Sequence, residues 1–247
     1  NFLRRGMATE LGADSLTPIQ SLQERVTAWR EVSGKEIETF IGDLADPAFT
    51  DRVVGSVRPD AIVHYGEQPS APYSMIDRKH AVETQRNNVE GTLNVLSACA
   101  AAGVGRVLVV GSADEYGAVR PEDLPLSEDA PLRPLTPYGA SKVSAEYLAL
   151  QAFLGDGLPT IRVRAFNHTG RSQPDRFMIP GLARRIAAAE REGRKEIPIG
   201  SLEPVRDFTN VEDVVVAYRL LVERAEPGEV YNVCSGVGHS VAQVAEH

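Results

Sequence analysis

The sequence contains only two cysteines, Cys99 and Cys234, among its 247 residues. Both stand among apolar residues, and they do not have the spacing of metal ligands. So few thiols exclude a small fold held together by disulfides, which is typical of secreted proteins. We therefore expect two reduced thiols in the core of a cytoplasmic protein, and we expect no metal site.

Long apolar runs and clustered positive charge are also missing. The most apolar stretch, around Val95–Val110, is interrupted by glycines and by Arg106, so we do not expect it to span a membrane. The net charge is −8, and the 26 lysines and arginines are scattered along the chain. This distribution argues against nucleic acids and anionic membranes as partners, although a few well-placed arginines can still bind a small anion.

The chain does show an alternation of short β-branched runs with longer helical patterns. Near-continuous apolar strands separated by helices indicate a parallel sheet covered on both faces, and hence a doubly wound α/β fold. With 247 residues and 43% hydrophobic content, one large domain or a domain with an interleaved smaller lobe is expected. Strands are predicted at 37–42, 60–66, 106–112, 160–166 and 229–235, and helices near 17–33, 47–57, 77–102, 137–154, 177–192 and 210–225.

Two of the predicted helices begin with capping signals. Thr136 has the residue type of an N-cap, and Pro137 follows it at the first helical position. Thr209 and Glu212 have the spacing of a capping box before the apolar sequence VVVAYRLL.

Four predicted strands are followed by polar, glycine-containing sequences, which read GDLAD, GEQPS, GSADEYG and FNHTG. In doubly wound folds, ligands bind at the carboxyl ends of the strands. These four exits therefore predict one ligand-binding cleft.

Tyr138 and Lys142 lie four residues apart on the helix predicted at 137–154, so they share one face. A free tyrosine has a pKa of about 10, and a neighbouring ammonium lowers it by favouring the phenolate. Such a tyrosine can exchange a proton with a sugar hydroxyl, and Ser112 at a strand end can hydrogen-bond the same oxygen. The alternative is an interfacial aromatic beside a solvated lysine; the strand-end serine and the cleft favour proton transfer.

The sequences GSADEYG, YGASK and RAFNHTG, in this order, resemble the extended short-chain dehydrogenase/reductase family, also called the NAD-dependent epimerase/dehydratase family. Residues 97–240 are similar to GDP-mannose 4,6-dehydratases and GDP-6-deoxy-4-keto-hexose reductases. Residues 1–96, with HYGEQPSAPYSMIDRKH, are instead similar to UDP-sulfoquinovose synthases. The resemblance implies a Rossmann-type core at 1–166, and a nucleotide-sugar-binding lobe mainly at 167–247 from which 210–235 returns to the core.

The resemblance also implies a bound NAD or NADP, a nucleotide-diphosphate hexose as substrate, and roles for individual residues. The implied catalytic residues are Ser112, Asp114, Tyr138 and Lys142. The implied cofactor-binding residues are Asn1, Asp43, Leu44, Tyr65, Gly66, Asn88, Gly111, Tyr138, Lys142 and Phe166. The implied substrate-binding residues are Gln68, Asn167, His168, Phe177, Arg184, Gly200 and Arg206.

Two of these assignments have an ordinary structural alternative. The planar guanidinium of Arg206 suits a diphosphate because it can bind two oxygens at once, but it can also pair with Asp207 at the surface. His168 either faces the ligand or is an ordinary loop histidine.

The sequence departs from glucose-type dehydratases, which place two adjacent carboxylates after the serine. This chain has Ala113 and Asp114 there, and the side chain of Glu115 is expected to point to the other side of a short extended segment. Dehydration needs acid–base groups beyond the tyrosine, so Asp114 would have to take the C5 proton. A 4-keto reductase needs only Ser112, Tyr138 and a hydride donor. The open alternatives are dehydratase, reductase, epimerase, sulfoquinovose synthase and a non-catalytic NAD(P) sensor.

No G-x-x-G-x-x-G loop occurs in the sequence, although the family places one at its first strand–helix turn. Such a loop lets backbone N–H groups approach a pyrophosphate at a helix N-terminus. The Gly-x-Gly in CSGVGHS at 234–240 lacks the third glycine. We therefore expect that the first βα unit is missing from this chain. Relatives form homodimers through four-helix bundles, for which the helices at 77–102 and 137–154 are the candidates.

Overall fold

The structure is a computed structural model that describes residues 3–13 and 15–246. The helices are α1 Leu3–Glu10, α2 Leu22–Ser33, α3 Pro47–Val57, α4 Ala71–Ser74, α5 Arg78–Gln85, α6 Gly91–Ala102, α7 Pro137–Asp156, α8 Met178–Glu192, α9 Val211–Arg224 and α10 Val241–Glu246. The strands are β1 Ala61–His64, β2 Arg106–Val110, β3 Thr160–Ala165, β4 Asn167–Thr169, β5 Val205–Asn210, β6 Val230–Val233 and β7 Gly238–Ser240. Short 3₁₀ turns occupy Ala113–Glu115 and Pro121–Asp123, and a π-helical turn at Arg86–Glu90 joins α5 to α6.

The described residues fall into two compact units. The larger unit comprises Gly42–His168 and Arg206–Gly238, and the smaller one comprises the chain up to Ile41, Thr169–Val205 and the chain from His239. The predicted division assigned everything before residue 167 to the core. The segment up to Ile41 groups with the smaller unit, and the domain boundaries inferred from the sequence stay a prediction.

The larger unit is built on a four-stranded sheet in the order β1–β2–β3–β6, and every pairing is parallel. Successive residues of a strand point to opposite faces. Val107 and Val109 of β2 accordingly join a hydrophobic cluster with residues of α3, α6 and α7. Leu108 and Val110 join a second cluster with residues of β3 and α9. Both faces of the sheet are covered, which confirms the predicted Rossmann-type α/β fold.

The smaller unit contains α1, α2, α8 and α10, with a core that includes Met7, Leu182 and Ala189. Helix α2 begins with a reciprocal capping box, in which the Ser21 hydroxyl accepts from the Glu24 N–H and the Glu24 carboxylate accepts from the Ser21 N–H. Strands β4 and β5, which belong mostly to the larger unit, form with β7 a second sheet in the order β4–β5–β7.

The strand predicted at 37–42 is wrong, because these residues have no regular secondary structure. Their pattern suggests a strand, but Ile37, Phe40 and Ile41 are exposed and take no part in the sheet. A β-strand is stable only when its backbone groups pair with a neighbouring strand. The apolar pattern alone therefore did not determine the structure of this segment.

Of the two predicted helix caps, the one at Thr136 is confirmed and the one at Thr209 is wrong. The Thr136 hydroxyl accepts from the Gly139 N–H at 2.9 Å. Helix α9 is capped by Asn210, whose side chain accepts from the Glu212 N–H at 3.0 Å. Thr209 lies in β5, and its hydroxyl contacts Asp207 instead.

The two cysteines differ in environment. Cys99 is fully buried on α6, and this burial raises the pKa of its thiol to about 12. Cys234 is exposed, so the prediction of a second core thiol is wrong. It follows β6 directly, where the strand has ended and packing no longer covers the side chain.

Two further features concern the described residues. None of the helices at residues 3–13 and 15–246 combines the length and apolarity that a bilayer crossing requires. The same residues contain no cluster of three or more histidine, cysteine or acidic side chains suited to a metal ion.

Candidate active site

The candidate site lies in the larger unit, where β1, β2 and β3 end at the same edge of the parallel sheet. Strand β1 leads into Tyr65–Gln68, and β2 leads into Gly111 and Ser112. Gly111 donates its N–H to the Val163 carbonyl of β3 at 2.5 Å, and a Cβ at this position would lie 2.7 Å from that oxygen. A glycine is therefore required for the close approach that places Ser112 at the sheet edge.

The first turn of α7 holds Tyr138 at this edge. Beyond the Thr136 cap, the Tyr138 N–H donates to the Ser74 hydroxyl at 3.1 Å, and Gln85 donates to the Pro137 carbonyl at 2.7 Å. Gly139 packs on the Ser112 turn, since a Cβ there would lie 2.9 Å from the Asp114 carbonyl. Several elements thus fix where α7 begins.

We expect Thr136→Ala to lower the free energy of unfolding by about 1 kcal/mol, because the Gly139 N–H loses its cap. Urea denaturation of the two proteins measures this difference. Thr136→Ser retains the hydroxyl and is the matched control. An unchanged denaturation midpoint for Thr136→Ala would show that the cap contributes nothing to the stability of α7.

Tyr138, Ser112 and Lys142 come together as the sequence indicated. The Tyr138 side chain lies close to Ser112 and in the field of the Lys142 ammonium, and both groups favour its ionised form. Burial raises the pKa of Tyr138 and outweighs the lowering by Lys142 and Ser112, so the net direction is upwards. The lysine acts in the predicted direction, but burial, which the sequence did not reveal, has the larger effect.

Glu67 is a site residue that sequence reasoning missed. Its carboxylate forms an ion pair with the Lys142 ammonium, which also donates to the Val110 carbonyl at 2.5 Å. Burial lowers the pKa of Lys142, but Glu67 and the neighbouring phenol raise it, and the net direction is upwards. Glu67 belongs to the polar exit GEQPS, and a carboxylate directly after an apolar strand was the available signal.

A second charged cluster lies behind Ser112. Glu115 accepts from the Ser112 N–H at 2.7 Å and is fully buried. It lies in a 3₁₀ turn, so the expected extended segment is wrong. Burial, reinforced by the adjacent Glu146, raises the pKa of Glu115. Arg164 binds Glu146 through two hydrogen bonds of 2.8 and 2.7 Å. This cluster supports the backbone that presents Ser112.

Asp114 and Arg206 interact electrostatically. Burial raises the pKa of Asp114, while the positive charge of Arg206 opposes the shift. Asp207 accepts hydrogen bonds from Ser235 at 2.9 and 2.8 Å and from the Gly236 N–H at 2.7 Å, and so it shapes the turn after β6.

The residues predicted to lie beside the adenine and along the cofactor are found after β1 and before α3. Asp43 accepts from the Ala45 N–H at 3.1 Å, and Leu44 packs against a core cluster. A Cβ on Gly66 would lie 2.8 Å from the end of the Leu44 side chain, which would have to shift to make room for it. Tyr65 is 69% exposed. Asn1 lies outside the described residues.

Asn88 and Gln68 form a buried polar link between β1 and α7. Asn88 accepts from the Gln68 N–H at 2.7 Å and donates to the Ser141 hydroxyl at 2.9 Å. The Gln68 side chain donates to the Ser70 carbonyl at 3.0 Å and to the Thr84 hydroxyl at 2.8 Å. Both side chains make extensive protein contacts, and their ligand roles remain predictions.

The remaining predicted residues are divided between the two units. Phe166, Asn167 and His168 follow β3 in the larger unit, and His168 contacts the Phe166 carbonyl at 3.0 Å. Phe177, Arg184 and Gly200 belong to the smaller unit, where Arg184 pairs with Asp175.

The family model described as the NAD dependent epimerase/dehydratase family matches residues 7–234. The chain belongs to this family. Among members of the family, GDP-6-deoxy-D-mannose reductase of Pseudomonas aeruginosa is 37% identical over 190 residues, which are 76% of this chain and 62% of that protein. Chloroplastic UDP-sulfoquinovose synthase of Spinacia oleracea is 53% identical over 98 residues, which are 40% of this chain and 20% of that protein.

The structure of RMD from Pseudomonas aeruginosa complexed with NADPH superposes on the chain with a TM-score of 0.78 and 32% identity. The match covers 92% of this chain and 77% of that one. Both resemblances inferred from the sequence are confirmed within the NAD-dependent epimerase/dehydratase family. The chain spans less than two thirds of the length of the reductase and one fifth of the synthase.

Proposed function

We propose that the protein reduces the C4 ketone of a nucleotide-diphosphate hexose with NAD(P)H. The observation that carries this proposal is that the Tyr138 phenol lies at the carboxyl edge of the sheet, close enough to both Ser112 and the Lys142 ammonium for each to favour its ionised form. This is the smallest set of groups that a ketone reduction needs. A non-catalytic sensor would have no use for a buried phenol, hydroxyl and ammonium in this arrangement.

The donor set in the larger unit fits the nicotinamide end of the cofactor. The Lys142 ammonium has three N–H donors, and its contacts with Glu67 and Val110 leave one for a ribose hydroxyl. Tyr138 and Lys142 would hold that ribose, and Asp43 and Leu44 would lie beside the adenine. When bound, NAD(P)H supplies the hydride for C4. The sequence contains no glycine-rich loop, so we assign no residues to the pyrophosphate.

In the proposed reaction, Ser112 donates a hydrogen bond to the C4 carbonyl oxygen and orients it. Tyr138 donates its phenolic proton to this oxygen as C4 receives the hydride. The products are the C4 alcohol, the oxidised cofactor and the Tyr138 phenolate, which the positive charge of Lys142 stabilises until solvent returns the proton. Protons and electrons therefore balance with one NAD(P)H and one solvent proton per turnover.

In the larger unit, we assign the diphosphate of the substrate to Arg206. Arg206 can bind a diphosphate through two parallel hydrogen bonds. Its charge also favours ionised Asp114. The remaining substrate-binding proposals are Gln68, Asn167, His168, Phe177, Arg184 and Gly200.

A second candidate function is 4,6-dehydration of the same class of substrate. Asp114 favours it, because burial raises the pKa of this carboxyl and so makes it a better proton acceptor at C5 and donor at C6. A dehydratase returns its hydride within each turnover and leaves the cofactor unchanged.

Cofactor stoichiometry distinguishes the two reactions. The protein is incubated with a panel of nucleotide hexoses and their 4-keto-6-deoxy derivatives, with and without NADPH, and separately with sulfite. We expect one NADPH consumed per 4-keto sugar reduced, with an increase of two hydrogens in product mass. Loss of water from a hexose without net NADPH consumption would show that the protein is a dehydratase and not a reductase. A product that forms only with sulfite would indicate a synthase.

The Asp114→Asn variant provides an independent check on this assignment. We expect it to retain 4-keto reduction, because only Ser112 and Tyr138 handle the C4 oxygen. A variant that loses all turnover would show that Asp114 takes part in the chemistry, as dehydration requires.

We also infer that the protein forms a homodimer through α5, α6 and α7. These helices present large apolar side chains at the surface, including Val82, Leu93, Tyr147 and Leu154 with exposed fractions of 56, 45, 57 and 73%. Apolar surface on neighbouring helices is a common feature of association faces. The dimer remains a prediction.

A further inference from the structure

The ion pair between Lys142 and Glu67 is almost completely removed from solvent. The exposed fractions of the two side chains are 5% and 3%. Burying two charges has a large desolvation cost, which is offset only when the pair has close contact and further hydrogen bonds. A lysine in this position is usually expected to lower the pKa of the neighbouring tyrosine. The Glu67 carboxylate opposes this effect of Lys142 on Tyr138.

We propose that Glu67 is a positioning residue that acts through Lys142: it holds the ammonium, partly cancels its charge, and keeps Tyr138 protonated so that the phenol enters the reaction as a proton donor. This inference rests on the proposed reduction and gives its direction a structural cause. An enzyme that begins by oxidising a sugar alcohol needs Tyr138 as a proton acceptor, and Glu67 works against that role.

The polar groups around Tyr138 come from several elements. Lys142 from α7 and Ser112 from the end of β2 favour the phenolate, whereas Glu67 from the end of β1 and Asp114 from the following 3₁₀ turn favour the phenol. Tyr218 of α9 also interacts with Tyr138. Burial raises the pKa of Tyr138 in the same direction as the two carboxylates, so the lowering effect of Lys142 is opposed.

His64 and Thr92 keep Glu67 in place. Thr92 donates its hydroxyl hydrogen to the Asn88 carbonyl at 2.6 Å, so its oxygen is the acceptor for His64 Nε2 at 2.9 Å. This makes the Nε2–H tautomer of His64 the consistent one, with Nε2 also 3.5 Å from Glu67 Oε1. Burial lowers the pKa of His64. A neutral His64 leaves Lys142 as the cationic partner of Glu67.

The test is the ionisation of Tyr138 in Glu67→Gln, which keeps the shape of the side chain and removes its charge. Near-ultraviolet absorbance follows tyrosinate formation, and subtracting the Tyr138→Phe curve isolates Tyr138. We expect the transition to move to lower pH by about one unit or more, because the ammonium then acts unopposed. The measurement needs neither cofactor nor turnover, so it stands whether or not the proposed reduction is found.

Kinetics give the second readout. If Tyr138 must be protonated, kcat falls above its pKa, and the alkaline limb for Glu67→Gln should move to lower pH by the same amount. Glu67→Asp keeps the charge and should restore the limb to near its original position. Glu90→Gln, which removes an exposed carboxylate paired with Arg86 at 3.3 Å, should leave both readouts unchanged. Titration curves for Glu67→Gln that coincide with the unmodified protein overturn the proposal.

Glu67→Gln could fail to fold because Lys142 is left unpaired. In that case the double variant Glu67→Gln/Lys142→Met tests whether Glu67 offsets the charge of Lys142. It removes both buried charges together. If Glu67 cancels Lys142 in the native protein, Tyr138 in the double variant titrates within about half a pH unit of its native position. A transition displaced upwards by about one unit or more would mean that Lys142 acts unopposed in the native protein, and the proposal would be wrong.

Discussion

Replacing Tyr138 by phenylalanine should lower turnover by about 10²- to 10⁴-fold, because the C4 oxygen loses its proton donor. The substrate should still bind, since the phenylalanine ring occupies the same volume and the Tyr138 N–H keeps its bond to Ser74 at 3.1 Å. Steady-state kinetics measure the first effect, and calorimetric titration with the nucleotide sugar measures the second. A large loss in kcat with an unchanged Kd is the expected pattern.

Tyr147 provides the matched control for this substitution. It lies on the same helix but is 57% exposed, so Tyr147→Phe should retain full turnover. Full activity in Tyr138→Phe would remove the proton-transfer role and leave the family resemblance as the only support for an enzyme.

Arg164→Met should destabilise the protein by about 3–5 kcal/mol, the cost of removing one partner from a buried ion pair. The Glu146 side chain is only 2% exposed and would lose its bidentate partner, retaining Arg162 at 3.4 Å. The substitution also removes hydrogen bonds of 2.9 Å to the Tyr116 hydroxyl and 2.7 Å to the Glu128 carbonyl. Urea denaturation at neutral pH measures the loss.

The destabilisation should decrease in acid. Burial opposes ionisation of Glu146, but its hydrogen bonds to Arg164 and the adjacent Glu115 lower its pKa below the ordinary 4.5. A lowered carboxyl pKa contributes stability that is present above the unfolded value and is lost as the pH falls through the folded value. The variant lacks that contribution, so the two stabilities should converge below about pH 4.5.

Arg120→Met is the control, because Arg120 pairs with Asp123 at 2.9 Å on the surface. We expect its denaturation midpoint to match that of the unmodified protein. If Arg164→Met were equally harmless, the cluster behind Ser112 would not hold the site in place.

The features that sequence reasoning predicted well depend on local pattern. Apolar runs located β1, β2, β3 and β6 because strands buried on both faces are nearly continuous in hydrophobicity. The parallel topology then placed the polar exits after β1, β2 and β3 at one edge, which brought Ser112 to Tyr138. The spacing of Tyr138 and Lys142 needed only the helical repeat.

The features that were missed depend on burial and long-range pairing. The strand predicted at 37–42 has the right residues but takes no part in the sheet, and no local pattern shows this. In the sequence, Glu67 is one residue of the polar exit GEQPS. Its pairing with Lys142 could not be predicted, because the two residues are far apart along the chain. The net direction of the Tyr138 pKa required knowing that burial exceeds the effect of one ammonium.

One missed contact did leave a signal in the sequence. Tyr138, Lys142 and Glu146 follow one another at four-residue intervals, so they lie along one face of α7. A glutamate that extends a buried face needs a cationic partner. Arg162 and Arg164, in an apolar strand, were the candidates for that partner, and both pair with Glu146.

The π-helical turn at Arg86–Glu90 restricts how the length of the chain can vary. It is wider than an α-turn by one residue, and it directs the fully buried Asn88 towards Gln68 and Ser141. Deleting one residue would restore regular winding and rotate all of α6 by about 100°. Val95, Leu96 and Cys99 would then turn away from the sheet. Insertions and deletions among natural variants should therefore avoid this segment and accumulate in the surface loops.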